Sequence, residues 1–275
     1  MRFDRNAARL GHAGMQIVRV FAICRVSVYL ALAITTTGCG ATSLSAHVEV
    51  LASIKHSAPG NAWDLEAESY RAIYTALLGR NGVRIVITPI SDHSLAEASL
   101  FDEVSPIKSL FGMNDYDASQ ERKALATKAE RALAILQSRQ FGSKRTEIIN
   151  AIFGAADRFE AAPHDASRLL IILANSFEQS SILNMADYHL NLNSGAIRRR
   201  VLDHLKATGQ LVALHGVDVC MLAVTNGDDN WADYNRSRGV RRFWQDYFAA
   251  AGAHLVGYGA AIGSCGPLAN DSEGQ

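Results

Sequence analysis

Three oxygen or nitrogen groups alternate after the apolar run that ends at Ala52: Ser53, Lys55 and Ser57. Thr146 follows Gly142-Ser143-Lys144-Arg145, and Asn175 follows the run Arg168 to Ala174. Hydroxyl and amide oxygens can ligate a hard cation or orient a partner's carboxylate, and a serine becomes a nucleophile when a base takes its proton. His56 is the base nearest to Ser57 in the chain, and Ser176 is a second candidate serine. Adjacent positions do not by themselves make a catalytic pair. The chain has no Gly-x-Ser-x-Gly elbow, no His-Glu-x-x-His and no Cys-x-x-Cys, so three common routes to hydrolysis, zinc chemistry and dithiol chemistry lack their motif.

Cys39 carries different chemistry. It ends the run Val26 to Gly38, with arginines before the run and small polar residues after it. That is the layout of an export signal. The phrase Thr36-Thr37-Gly38-Cys39 resembles the lipobox of bacterial lipoproteins, Leu-(Ala/Ser/Thr)-(Gly/Ala)-Cys; Thr36 departs from it. The resemblance implies a signal peptide over 1–38, a lipid (palmitate class) on Cys39, a tether over 39–47 and a remainder on the extracytoplasmic side of a cell membrane. Gly40 in place of an aspartate points to the outer membrane of a Gram-negative cell. A plain signal peptide or an uncleaved anchor is the alternative, although Arg19 and Arg25 interrupt Ile17 to Ile34 and a central charge costs a span about 2.5–3.5 kcal/mol. Met15 is a second plausible start.

The 275 residues carry 27 basic and 27 acidic side chains. This balance argues against a general nucleic-acid binder, for which a basic domain is expected. Residues 39–275 suffice for one full core. Cys220 and Cys265 could form a disulfide in an exported protein, or Cys220 could be a buried thiol in the strand Val217 to Val224.

The elements that must position these groups alternate. Apolar runs at Val48–Ser53, Val83–Pro89, Arg168–Ala174 and Val217–Thr225 read as buried parallel strands, with a short last one at His254–Tyr258. Helical spacing fills Ala62–Leu78, Ser119–Gln140, Thr146–Phe159, Ser194–Thr208 and Arg236–Ala251. The pattern predicts an α/β fold: a doubly wound, mostly parallel sheet with helices on both faces. Residues 48–262 form that domain, the polar stretch 91–117 is expected to be a mobile insertion, and 263–275 a disordered tail.

Ligands of such sheets bind beyond the carboxyl ends of the strands. The phrases there, from Ser53 to Ser57, at Thr146 and at Asn175, with His215-Gly216-Val217-Asp218 and Arg242 to Phe248 in order, resemble the bacterial branch of the von Willebrand factor A-like (VWA-like, also Rossmann-like) fold over about Val48 to Tyr258. That family implies a magnesium site made of Asp-x-Ser-x-Ser, a Thr and an Asp. Here Ser53 stands for the first Asp, Lys55 for the first Ser and Asn175 for the last Asp, while Ser57 and Thr146 match. Both carboxylates are gone and an ammonium is added. The resemblance therefore implies a degenerate site with no metal and no cofactor, in which Lys55 could bond Ser57, Thr146 and Asn175.

Weaker signals have plain structural readings. The arginines at 236, 238, 241 and 242 precede Phe243, Trp244, Tyr247 and Phe248, which suits an amphipathic helix with its aromatics on the sheet. Arg198-Arg199-Arg200 reads as a solvated face. Gly257-Tyr258-Gly259-Ala260-Ala261-Ile262-Gly263 is one residue too long for a dinucleotide fingerprint. The expected function is a protein-interaction module for an unidentified cell-envelope or transfer-apparatus protein, attached to the membrane through Cys39 and without catalysis. The competing expectation is an exported α/β hydrolase-like enzyme using Ser57 or Ser176 with a histidine.

Overall fold

A computed structural model describes residues 44–53, 62–107, 114–138, 145–222, 231–259 and 265. Six strands form one sheet in the order β3-β2-β1-β4-β5-β6. They are β1 (Ala46–Ala52), β2 (Val83–Pro89), β3 (Phe101–Val104), β4 (Ser167–Leu173), β5 (Val217–Leu222) and β6 (His254–Gly259). All neighbours are parallel except β2 and β3. The helices are α1 (Ala62–Gly79), α2 (Asp115–Ser138), α3 (Ile148–Glu160), α4 (Gly195–Ala207) and α5 (Trp231–Ala251). The chain is thus a doubly wound α/β protein whose order turns back between β1 and β4, the switch point where such sheets bind ligands.

Period-two alternation sorts the strand residues between two cores. Val48, Val50, Ile85, Ile171 and Leu222 face α1 and α2. Leu51, Leu170, Ile172, Val219 and Met221 face α3, α4 and α5. On α5 the aromatics at 243, 244, 247 and 248 are fully buried and pack edge-on or stacked, as the amphipathic reading expects. Each such side chain contributes about 1.5–3 kcal/mol by leaving water.

Three expectations need correction. Part of the stretch read as a mobile insertion is ordered structure: a short 3-10 turn at Ser94–Ala96 and the antiparallel edge strand β3. Its charged residues hid it, because an edge strand keeps one side open to water. Cys265, assigned to the disordered tail, is buried and joined to Cys220 by a disulfide with Cα atoms 5.5 Å apart. Arg198 is not a solvated cation: it donates to Asp246 Oδ2 at 2.6 Å and to the carbonyls of Leu192 and Asn193. The rest of the tail, and the leader with Cys39, lie outside the described residues. Among the described residues, no helix is long and apolar enough to cross a membrane.

Candidate functional site at the upper rim

Ser53 directly follows β1, and Asn175 lies two residues beyond β4, so paired neighbouring strands bring both to the carboxyl-end rim. Ser53 is buried, and its N–H donates to Leu173 O at 2.8 Å. Thr146 reaches the same end through the segment after β4: it exchanges two backbone hydrogen bonds with Gln179, at 3.2 and 2.9 Å. Glu147 N–H donates to Ser91 O at 3.1 Å, which ties the start of α3 to the segment after β2. Lys55, His56 and Ser57 lie outside the described residues.

These three described residues, Ser53, Thr146 and Asn175, bring neutral oxygens and no carboxylate. Asn175 Oδ1 is already taken by Phe177 N–H at 3.2 Å, closing a tight turn. Thr146 Oγ1 is buried without a hydrogen-bond partner, and Ser53 offers a neutral oxygen. Magnesium wants an octahedron of oxygens that includes carboxylate. Among the described residues, no three His, Cys, Asp or Glu side chains are grouped to hold a metal ion.

The segment from Ala174 to Ser194 is the long connection from β4 to α4, and side chains lock it. Asn175, Ser180, Asn184, Asp187 and Asn191 each accept a backbone N–H two residues ahead. Such side-chain turns fix a backbone that has no ladder to join. Glu178 fastens the segment from below. It is fully buried, and its Oε2 accepts Ile149 N–H at 2.9 Å in the first turn of α3. Burial pushes its carboxyl up to about 7, against the pull of the nearby Ser180 hydroxyl and helix N–H groups. Nothing in the local sequence marks Glu178 as buried, because its partner lies 29 residues away.

Ser176 is the serine that the rim positions most tightly. Its φ of 61° is the one positive value among described non-glycine residues. Trp244 Nε1 donates to its carbonyl at 2.8 Å, and the Tyr258 hydroxyl donates to its Oγ at 3.0 Å. Burial raises the Tyr258 phenol, and Arg241 lies 5.3 Å over its ring. No histidine among the described residues is hydrogen-bonded to Ser176. Around this rim stand two exposed apolar side chains, Leu95 and Tyr188, the latter with its ring centroid 3.8 Å from that of His189 and tilted 40° to it.

No protein-family model matches the chain, and no curated protein matches it. Solved structures similar to it include the manganese-loaded TRAP protein of Plasmodium vivax, at 11% identity over 64% of this chain and 57% of that one, with a TM-score of 0.34. The human COPII-coat protein Sec24c aligns at 10% identity over 79% of this chain and 29% of its own, TM-score 0.36. The pilus adhesin SpaC of Lactobacillus rhamnosus GG aligns at 11% over 76% and 30%, TM-score 0.34. The chain therefore spans less than two thirds of each of these proteins.

Proposed function

We propose that this chain is a non-catalytic, VWA-like protein-binding module. Lipid on Cys39 holds it to the extracytoplasmic side of a bacterial membrane, the outer membrane in a Gram-negative cell, within an envelope or transfer apparatus. The observation that carries binding over catalysis is the surrounding of Ser176. A positive φ is a device of catalytic serines as well. Here, however, the hydroxyl meets a phenol that burial keeps protonated, and a protonated phenol cannot act as a general base at neutral pH. The locked connection and the exposed Tyr188 and Leu95 then read as a rigid docking surface. The VWA-like assignment is supported by the strand order and by the placement of Ser53, Thr146 and Asn175 at one rim. The Cys220–Cys265 disulfide accords with an oxidising compartment.

Two measurements test the proposal. Cys39→Ser should release the protein from membranes or block its processing, and wild type should take up a fatty-acid probe. Stable attachment needs more than one acyl chain, at about 0.8 kcal/mol per buried CH₂. A fluorophosphonate probe should leave Ser176 unlabelled. An unlabelled wild type in the fatty-acid experiment, or covalent capture of Ser176, overturns the corresponding half.

A further inference from the structure

The outer faces of α4 and α5 carry a charge that the proposed function does not use. The two helices hold eight Arg and Lys side chains against three Asp. On the other side of the sheet, α1 and α2 hold seven acidic side chains against five basic ones. The chain as a whole is neutral. Its charge is therefore polarised across the sheet.

Six of the cations on α4 and α5 are exposed: Arg199, Arg200, Lys206, Arg238, Arg241 and Arg242. None of them forms an ion pair with a described residue, whereas Arg71, Arg84, Lys128, Arg158 and Arg198 each pair with a carboxylate. The partners that two of the six do have are neutral: Arg238 donates to Asn235 Oδ1 at 3.1 Å, and Arg241 lies 5.3 Å over the Tyr258 ring. The bridge from Arg198 to Asp246, 2.6 Å long, joins the two helices. Arg199 follows Arg198, and Arg242 stands one turn before Asp246, so the two cationic rows lie side by side.

Among the described residues, neither helix presents an exposed large apolar side chain. A protein interface is anchored by such side chains in a core depleted of charge. An anionic lipid surface needs no anchor and no cleft, because it attracts each cation separately. Both helices run from the upper rim to the opposite end, so this face is a flank of the sheet and leaves the rim open.

We propose that the α4–α5 flank lies on an anionic phospholipid surface, with the six cations among the phosphate headgroups. A neutral chain has no net attraction to such a surface, so it adsorbs only with this flank turned toward it. The contact does not depend on lipid at Cys39 or on the upper rim. It would add to an acyl anchor, since stable attachment takes two signals.

Flotation of the purified full-length Cys39→Ser protein tests the flank apart from the lipid anchor. The vesicles are phosphatidylcholine alone, or phosphatidylcholine with one third phosphatidylglycerol, and any contact of the apolar leader is common to both. Binding should appear with phosphatidylglycerol and weaken as salt screens the charges. Each cation near an anionic surface strengthens adsorption about fivefold, so Arg199→Gln combined with Arg242→Gln should weaken it by about tenfold or more. Lys123→Gln combined with Arg131→Gln removes the same charge from exposed positions on α2 and should weaken it by no more than about threefold. Equal loss in the two double variants would mean that net charge rather than this flank governs binding, and overturns the proposal. So does binding that ignores phosphatidylglycerol. Binding to polyglutamate but not to phosphatidylglycerol would assign the flank to an acidic protein and overturn it as well.

Discussion

The Glu178 carboxylate accepts the N–H of Ile149 at 2.9 Å, so one buried acid joins the segment after β4 to the first turn of α3. The two ends of the candidate binding surface, Thr146 and the 175–194 connection, are held in register by this bond and by the Thr146–Gln179 pair.

That acid makes stability fall as pH rises. Its carboxyl is raised from 4.5 to about 7 in the folded protein, so the folded state holds the proton more tightly than the unfolded chain. The stabilising contribution is complete below about 4.5, is lost as pH rises through about 7, and is level beyond. A shift of this size corresponds to about 3 kcal/mol. Glu178→Gln keeps an oxygen for Ile149 and removes the titration. Urea melts should show the variant gaining on wild type from pH 5 to pH 8, by up to that amount.

Gly239 of α5 lies against the backbone of the same connection. A Cβ there would stand 3.0 Å from the Leu192 carbonyl carbon and 3.1 Å from Asn193 N. Backbone cannot move aside as a flexible side chain can, and the segment is also held by Asn193 Nδ2 donating to Asn235 O at 2.8 Å. Gly239→Ala should destabilise the protein by about 1–3 kcal/mol, despite alanine's better helix propensity. Denaturant melts check this.

The disulfide closes a separation of 45 residues between a central strand and the end of the chain. Replacing both Cys220 and Cys265 with alanine should cost about 2–4 kcal/mol. Non-reduced peptide mapping should recover the two cysteines linked, and thermal melts with reductant should reproduce the loss.

Magnesium and manganese should not bind with micromolar affinity, and EDTA should leave partner binding unchanged. The described donors at the rim, Ser53, Thr146 and Asn175, bring no carboxylate. Calorimetric titration decides it; a stoichiometric, micromolar metal would mean that the oxygen set is completed in a way these three residues do not show.

The four long apolar strands and the helices were readable because their burial is written locally, in period two and period 3.6. β3 was not: Phe101 is buried but Asp102 and Glu103 point toward water and toward Arg84 and Lys128. His47 fell at the end of the expected tether, and Glu49 inside the run Val48–Ser53 read as a buried strand. Both are fully buried, and what permits it is Arg158, 109 residues away from Glu49. The same holds at the candidate site. Ser53 and Asn175 could be placed at one rim from strand ends alone, and Thr146 from the start of the helix that follows it. Glu178 and the Tyr258–Ser176 contact could not, because each depends on a partner that only the folded sheet brings near.

The central claim is that the upper rim binds protein while the domain is attached to a membrane. Photo-crosslinking in intact cells tests it most directly, with the crosslinking residue placed at the exposed Tyr188 of that rim or at the exposed His164 after α3. A discrete protein adduct in the membrane fraction from position 188, absent from position 164 and lost with Cys39→Ser, is the predicted result. Adducts of equal yield from both positions, or from 164 alone, would contradict it.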